Sequence, residues 1–356
     1  MKFHIKTIVK IALFGIVLSG CNSIGRVPQQ SGKLYFLGTI ATGAGPSAIS
    51  ITPNDNYVYT INTESNTISE FSRDENGLLV YQASFATGEE PGRMAITKNE
   101  SYAYVTNYGS NIVSQYHIES DGQFESLSPA TIATGNGPIG ITISSNESYA
   151  YIVNYNDNTV SQYSIASNGQ LESLSPATIA TGEHPVTIAI TPNGNFAYIS
   201  NEGDNTLSQY SIASNGQLES LSPATIAAGH LPYGIAISSD SNYVYATNRG
   251  DNTVFEFVRT DSGLLNTYQI VSTTGAGPSG ITISPNGDNV YVTNLYSHTV
   301  EAFNRNKTSG KLYSLQNIAV GNDNFGPAGV VISSDGNYLY VSNEDSATIS
   351  QYKIVK

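Results

Sequence analysis

The side chains best suited to chemistry collect where a repeated loop departs from its own pattern. The recurring stretch Ala-Thr-Gly-x-Gly-Pro becomes Gly88-Glu89-Glu90-Pro91-Gly92-Arg93, then Gly182-Glu183-His184-Pro185, then Gly229-His230-Leu231-Pro232-Tyr233. A second set of loops carries Glu64, Asp157, Glu202, Asp204, Arg249, Asp251, His298, Glu344 and Asp345. A histidine can activate water as a general base, and an arginine can stabilise an oxyanion. Arg93, His184 and His230 are therefore the catalytic candidates. The wider ligand-binding set is Glu89, Glu90, Arg93, His184, Glu202, His230, Tyr233, Arg249, His298 and Glu344. The same residue types equally suit the solvated rim of a binding protein.

No cofactor or metal site is expected. The three loop histidines stand in different repeats without the close spacing of zinc ligands. Asn-x-Gly-Asp-Asn at 201–205 and 248–252 lacks the twelve-residue calcium loop with its closing Glu. The stretches 135–140 and 275–280 match a dinucleotide fingerprint literally. Each leads into a strand, so no helix N-terminus is available to hold a pyrophosphate.

The elements that position these loops come from a repeat. Pro46, Pro91, Pro138, Pro185, Pro232, Pro278 and Pro327 recur at spacings of 45 to 49 residues. Sixteen residues after each stands an asparagine: Asn62, Asn107, Asn154, Asn201, Asn248, Asn294 and Asn343. Each unit reads as four short strands, with β-branched and aromatic residues in period two divided by Asn, Gly and Asp turns. An all-β, seven-bladed propeller of four-stranded blades accounts for this pattern better than a solenoid does. The tyrosines three residues before each asparagine, Tyr59 to Tyr340, should fill the gaps between blades. The chain ends in a third strand, and residues 32–40 resemble the missing fourth. The N-terminal strand is expected to close the last blade and seal its edge.

In such a propeller the inter-blade loops and the loops between second and third strands open on one face. His184, His230 and His298 belong there, and Arg93, His184, His230 and Tyr233 should point into the axial mouth. His117 lies apart, on a third strand.

The N-terminus reads as an export signal. Lys2, Lys6 and Lys10 precede a short apolar run from Ile11 to Leu18, too short to span a bilayer as a helix. Leu18-Ser19-Gly20-Cys21 resembles a bacterial lipobox, which implies cleavage before Cys21 and its acylation. The expected organisation is a signal peptide at 1–20, a lipidated cysteine and tether at 21–31, and a propeller at 32–356. Cys21 is the only cysteine, so acylation leaves no thiol for a disulfide or a nucleophile. Asn22 in place of an aspartate favours the outer membrane, if the cell has two. Without Lys2, Lys6 and Lys10 the chain carries 12 basic against 28 acidic residues, a net charge of −16. That surface repels phosphate backbones, so nucleic acid is not an expected partner.

Tyr104-Val105-Thr106-Asn107, Tyr245-Ala246-Thr247-Asn248 and Tyr291-Val292-Thr293-Asn294 resemble the signature of the YVTN β-propeller family. That superfamily includes lactonases such as 6-phosphogluconolactonase alongside envelope proteins, so the resemblance implies the fold and leaves the activity open. The leading expectation is a lipid-anchored, non-enzymatic scaffold that binds an envelope protein or glycan. The alternative is a lactone hydrolase working in the axial mouth.

Overall fold

Each repeat folds as its period-two pattern dictates. The computed structural model describes residues 31–321 and 326–356. The chain enters through β1 (Leu34–Ala41) and forms its first blade from β2 (Pro46–Ile51), β3 (Tyr57–Asn62), β4 (Thr67–Arg73) and β5 (Leu79–Ala86). These four strands pair antiparallel in chain order, and five further blades repeat the arrangement up to Ala319. The seventh blade holds Pro327–Ile332, Tyr338–Asn343 and Thr348–Ile354, and β1 pairs with the last of these as its outer strand. The seven blades and the N-terminal closure are thus as the repeat implies. The export signal and Cys21 lie outside the described residues.

The signature residues act between blades. Each buried tyrosine of the second strands donates its hydroxyl to the carbonyl of a turn glycine in the next blade. The pairs are Tyr59–Gly122, Tyr104–Gly169, Tyr151–Gly216, Tyr198–Gly263, Tyr245–Gly310, Tyr291–Gly32 and Tyr340–Gly77, at 2.6–2.9 Å. Gly169 shows why the turn needs glycine: its φ is +81°, and a Cβ would lie 2.2 Å from the Tyr102 ring.

The threonine or serine before the repeat asparagine has a second task. Thr247 Oγ1 accepts from Gly234 N at 2.8 Å and donates to Ser279 O of the next blade, also at 2.8 Å. Thr106, Ser200 and Thr293 make the same reach to Ile139 O, Tyr233 O and Ala328 O. The innermost strands slip register just after each repeat proline, as between Pro232 and Ile235. The hydroxyl therefore satisfies an amide that the bulge withdraws from the ladder.

A third device joins the outer halves of the blades. Gln115, Gln162, Gln209 and Gln351 each accept a backbone N–H from the next blade, from Leu171, Leu218, Leu265 and Leu79, at 2.7 Å. Glu256 does the same for Leu312 N at 2.9 Å. Glu70 occupies the equivalent place in the first blade, and both its carboxylate oxygens are buried without a partner among the described residues. Burial, with a smaller push from Asp121, raises the Glu70 carboxyl to about 7. The unfolded chain holds such a group near its ordinary value, so the folded state binds the proton more tightly. Its contribution is full below the unfolded value and is lost as pH rises through about 7. Replacing Glu70 with the glutamine that four other blades carry there should therefore raise the melting temperature at pH 8 and barely move it at pH 5. Melting curves of E70Q that shift equally at both pH values would exclude a titrating Glu70 as the cause.

Candidate active site

The axial mouth is built by two repeat positions. The residue after the repeat asparagine opens the turn that follows the second strand and faces the axis: Thr63, Tyr108, Tyr155, Glu202, Arg249, Leu295 and Glu344. The residue after the repeat proline opens the innermost strand, giving Ser47, Ile139, Val186, Tyr233, Ser279 and Ala328. Glycine usually follows, because the neighbouring backbone is close. A Cβ on Gly234 would lie 2.4 Å from Ser279 O, and one on Gly280 would lie 2.5 Å from Ala328 O. The second blade inverts the pair as Gly92-Arg93, so its side chain emerges one residue later.

That inversion brings two guanidinium groups onto one ring. Arg249 lies 3.4 Å and Arg93 5.5 Å from the centroid of Tyr233. Arg93 comes from the second blade and Tyr233 from the fifth, so this contact crosses the mouth. Cations over an aromatic face are attracted by its quadrupole, and a partly dry site strengthens the attraction. Arg249 is held further by buried Ser279, whose Oγ accepts from Nη2 at 2.8 Å and from Nε at 3.3 Å. Arg93 Nε is buried and has no hydrogen-bond partner among the described residues. An unmet cationic donor in a cleft is what an anionic or oxyanionic guest would satisfy.

Beside this pair lies a cavity of about 160 Å³ lined by Ser47, Thr63, Glu90, Pro91, Gly92, Arg93, Tyr108, Ile139 and Tyr233. Its far wall continues as an aromatic row. Tyr108 meets Tyr155 edge-on at 6.4 Å, and His184 stacks on Tyr155 at 4.6 Å with the planes 9° apart. The Tyr155 hydroxyl donates to Glu202 Oε2 at 3.4 Å. Burial pushes the Tyr155 phenol upward, and Glu202 adds to the shift. Glu344 is a further carboxyl of the mouth. Burial raises its pKa first, then Asp345 and Glu64, while Arg249 pulls it down. A carboxylate held above its ordinary range is a better proton acceptor near neutral pH.

Of the residues singled out in the sequence, Arg93, His184, Glu202, Tyr233, Arg249 and Glu344 meet around the mouth, with Glu90 at the cavity edge. His230 does not join them: it is exposed beside Gly250, with its backbone N–H on Asp251 Oδ2 at 2.7 Å. Glu89 is exposed too, its backbone N–H capped by Ser110 Oγ. His298 takes a backbone role, its Nδ1 accepting from Gly326 N at 3.1 Å. Asn66, Asn111, Asn158, Asn205 and Asn252 bond the equivalent loop amides in five other blades, so His298 stands in for an asparagine. The sequence reading missed Tyr108, Tyr155 and Ser279. Their signal was positional, since they occupy the two repeat registers that face the axis.

The family model for "Lactonase, 7-bladed beta-propeller" matches residues 22–142, 96–232 and 219–325. A search of curated proteins finds no match. Among solved structures, a Bacteroides fragilis protein named provisionally as a 6-phosphogluconolactonase is 22% identical, with a TM-score of 0.70 over 78% of this chain and 85% of that one. The periplasmic gluconolactonase of Pseudomonas aeruginosa is 20% identical, with a TM-score of 0.68 over 87% of this chain and 88% of that one. Hydrazine synthase of Kuenenia stuttgartiensis is 18% identical, with a TM-score of 0.71 over 90% of this chain and 99% of that one. These likenesses concern the fold, and a fold does not by itself carry an activity. The matches to the family model run from residue 22 to residue 325, so this chain is a member of the seven-bladed β-propeller lactonase family.

Proposed function

We propose that the chain is a lactone hydrolase whose reaction takes place in the axial mouth, and that acylated Cys21 tethers it in the cell envelope. The carrying observation is the placement of Arg93 and Arg249 on Tyr233, with the raised carboxyl of Glu344 in the field of Arg249. Family membership favours this reading over the non-enzymatic scaffold.

The reaction follows from the groups present. Glu344 takes a proton from water, and the hydroxide equivalent attacks the lactone carbonyl. Negative charge develops on the carbonyl oxygen, where a fixed guanidinium stabilises it more than it stabilises the neutral substrate. Collapse breaks the ring C–O bond, and the proton held by Glu344 returns to the departing alkoxide. The product is a hydroxy acid, whose carboxylate the second guanidinium can meet. The aromatic row of Tyr108, Tyr155 and His184 offers flat faces for a ring substrate. An exported location and a strongly acidic surface favour unphosphorylated over phosphorylated lactones.

The purified chain should release acid from five- and six-membered sugar lactones faster than their spontaneous hydrolysis. The rate should fall as pH drops through a value above the ordinary carboxylate range, because only deprotonated Glu344 accepts the proton. Glu344→Gln should remove that acid limb along with most of the rate. A folded chain with no turnover above background would sink the proposal and restore the scaffold reading.

A further inference from the structure

The second blade carries a group of side chains that the mouth does not use. His117 lies at the end of the strand Ile112–Ile118, Glu119 follows two residues later, and Glu125 stands opposite His117 on the neighbouring strand Phe124–Ala133. The ligand-type atoms of the three lie within 4.8 Å of one another, and His117 Nδ1 is 3.2 Å from Glu119 Oε1. The imidazole also packs edge-on against Tyr102 at 5.8 Å, which limits its rotation.

The chain contains its own control for this cluster. Residues 161–179 and 208–226 are identical, and residues 114–132 differ from them at four positions. Three of those differences replace Ser, Ala and Asn by His117, Glu119 and Asp121; the fourth puts Phe124 in place of leucine. The register is unchanged, since Ser164 faces Glu172 and Ser211 faces Glu219 just as His117 faces Glu125. Two blades thus keep a lone glutamate on this face. The second blade has added an imidazole and a second carboxylate within ligand reach of it.

We propose that His117, Glu119 and Glu125 form a binding site for a divalent metal ion of the zinc class. One imidazole nitrogen and two carboxylate oxygens at about 2.0–2.2 Å make a three-ligand set that leaves a fourth position for water or a partner's side chain. Such bonds need ligand atoms roughly 3.3–3.6 Å apart, a contraction that rotation of two exposed glutamates supplies. The imidazole selects borderline metals over calcium and magnesium, which take oxygen ligands. The hairpin lies between third and fourth strands, on the face opposite the mouth, so the site is independent of the proposed hydrolysis.

The test is calorimetric titration of the purified, metal-stripped chain with Zn²⁺, alongside H117A and a graft of S164H and A166E into the third blade. One site is expected in the parent chain, with at least tenfold weaker binding in H117A. Two sites are expected in the graft, because Glu172 already waits in register. Zinc binding that survives H117A unchanged overturns the proposal, as does a folded graft that still binds a single ion. Equal affinity for Ca²⁺ would also overturn it, since the imidazole would then be playing no part.

Discussion

A chain lacking residues 31–41 will lose the cooperative melting of the intact propeller, with a midpoint far below that of the parent. β1 pairs along its length with Thr348–Ile354 and covers the edge of the last blade. Leu34 is buried among Tyr291, Leu339, Tyr352 and Ile354, so the strand joins the cores of two blades. The Tyr291 hydroxyl donates to Gly32 O at 2.9 Å, and Gln316 bonds both the N–H and the carbonyl of Leu34. Deleting the strand strips all of these at once. Exposing one buried leucine costs about 2–3 kcal/mol, and a buried hydroxyl left unpaired costs about 1–3 kcal/mol. With a blade edge opened as well, the loss is comparable to the roughly 5–15 kcal/mol that stabilises an ordinary domain. Leu34→Ala isolates the packing part and should cost about 2–5 kcal/mol. Circular dichroism melting checks both, and a deletion that melts with the parent would mean that the ring is closed by something other than this strand.

Turnover on the best lactone should fall about 100- to 1,000-fold in Arg249→Ala, the usual cost of removing one oxyanion donor. Arg249→Lys should recover little of this. An ammonium cannot reproduce the planar fork that bonds Ser279 through two nitrogens while stacking on Tyr233. Tyr233→Phe keeps the ring and should cost much less than Tyr233→Ala, which removes the platform under both guanidinium groups. Steady-state kinetics separate these cases. A loss confined to KM would assign Arg249 to substrate binding alone, and a change below tenfold would remove it from the reaction. Melting curves of each variant exclude unfolding as the cause, since Arg249 is partly exposed at the mouth and lies outside the inter-blade cores.

The repeat was legible because the same local demand arises seven times. Buried tyrosines, αL turn glycines and bulge-capping threonines serve contacts between successive blades, which recur at a fixed distance along the chain. Closure was legible for the same reason, as a strand missing at one end and present at the other. The mouth was only partly so. Its charged members stood out as departures from the repeat, and Arg93, Tyr233, Arg249 and Glu344 do converge. Tyr108 and Tyr155 did not stand out, because tyrosine fills so many core positions that two facing the axis look like more of the same.

Two histidines show the opposite limit. His298 looked functional by residue type, yet it occupies a position where five other blades use asparagine to hold a loop amide. His230 shares a loop type with His184, but only His184 stacks on a tyrosine of the mouth, while His230 is exposed beside Gly250. Local sequence alone therefore determined the strands, their number and the order of blades, since each depends on contacts within a repeat or with the next one. Which side chains meet across the axis was decided by ring closure, which brings the second blade opposite the fifth. Residues 140 positions apart, Arg93 and Tyr233, become neighbours there through no pattern that a one-dimensional reading contains.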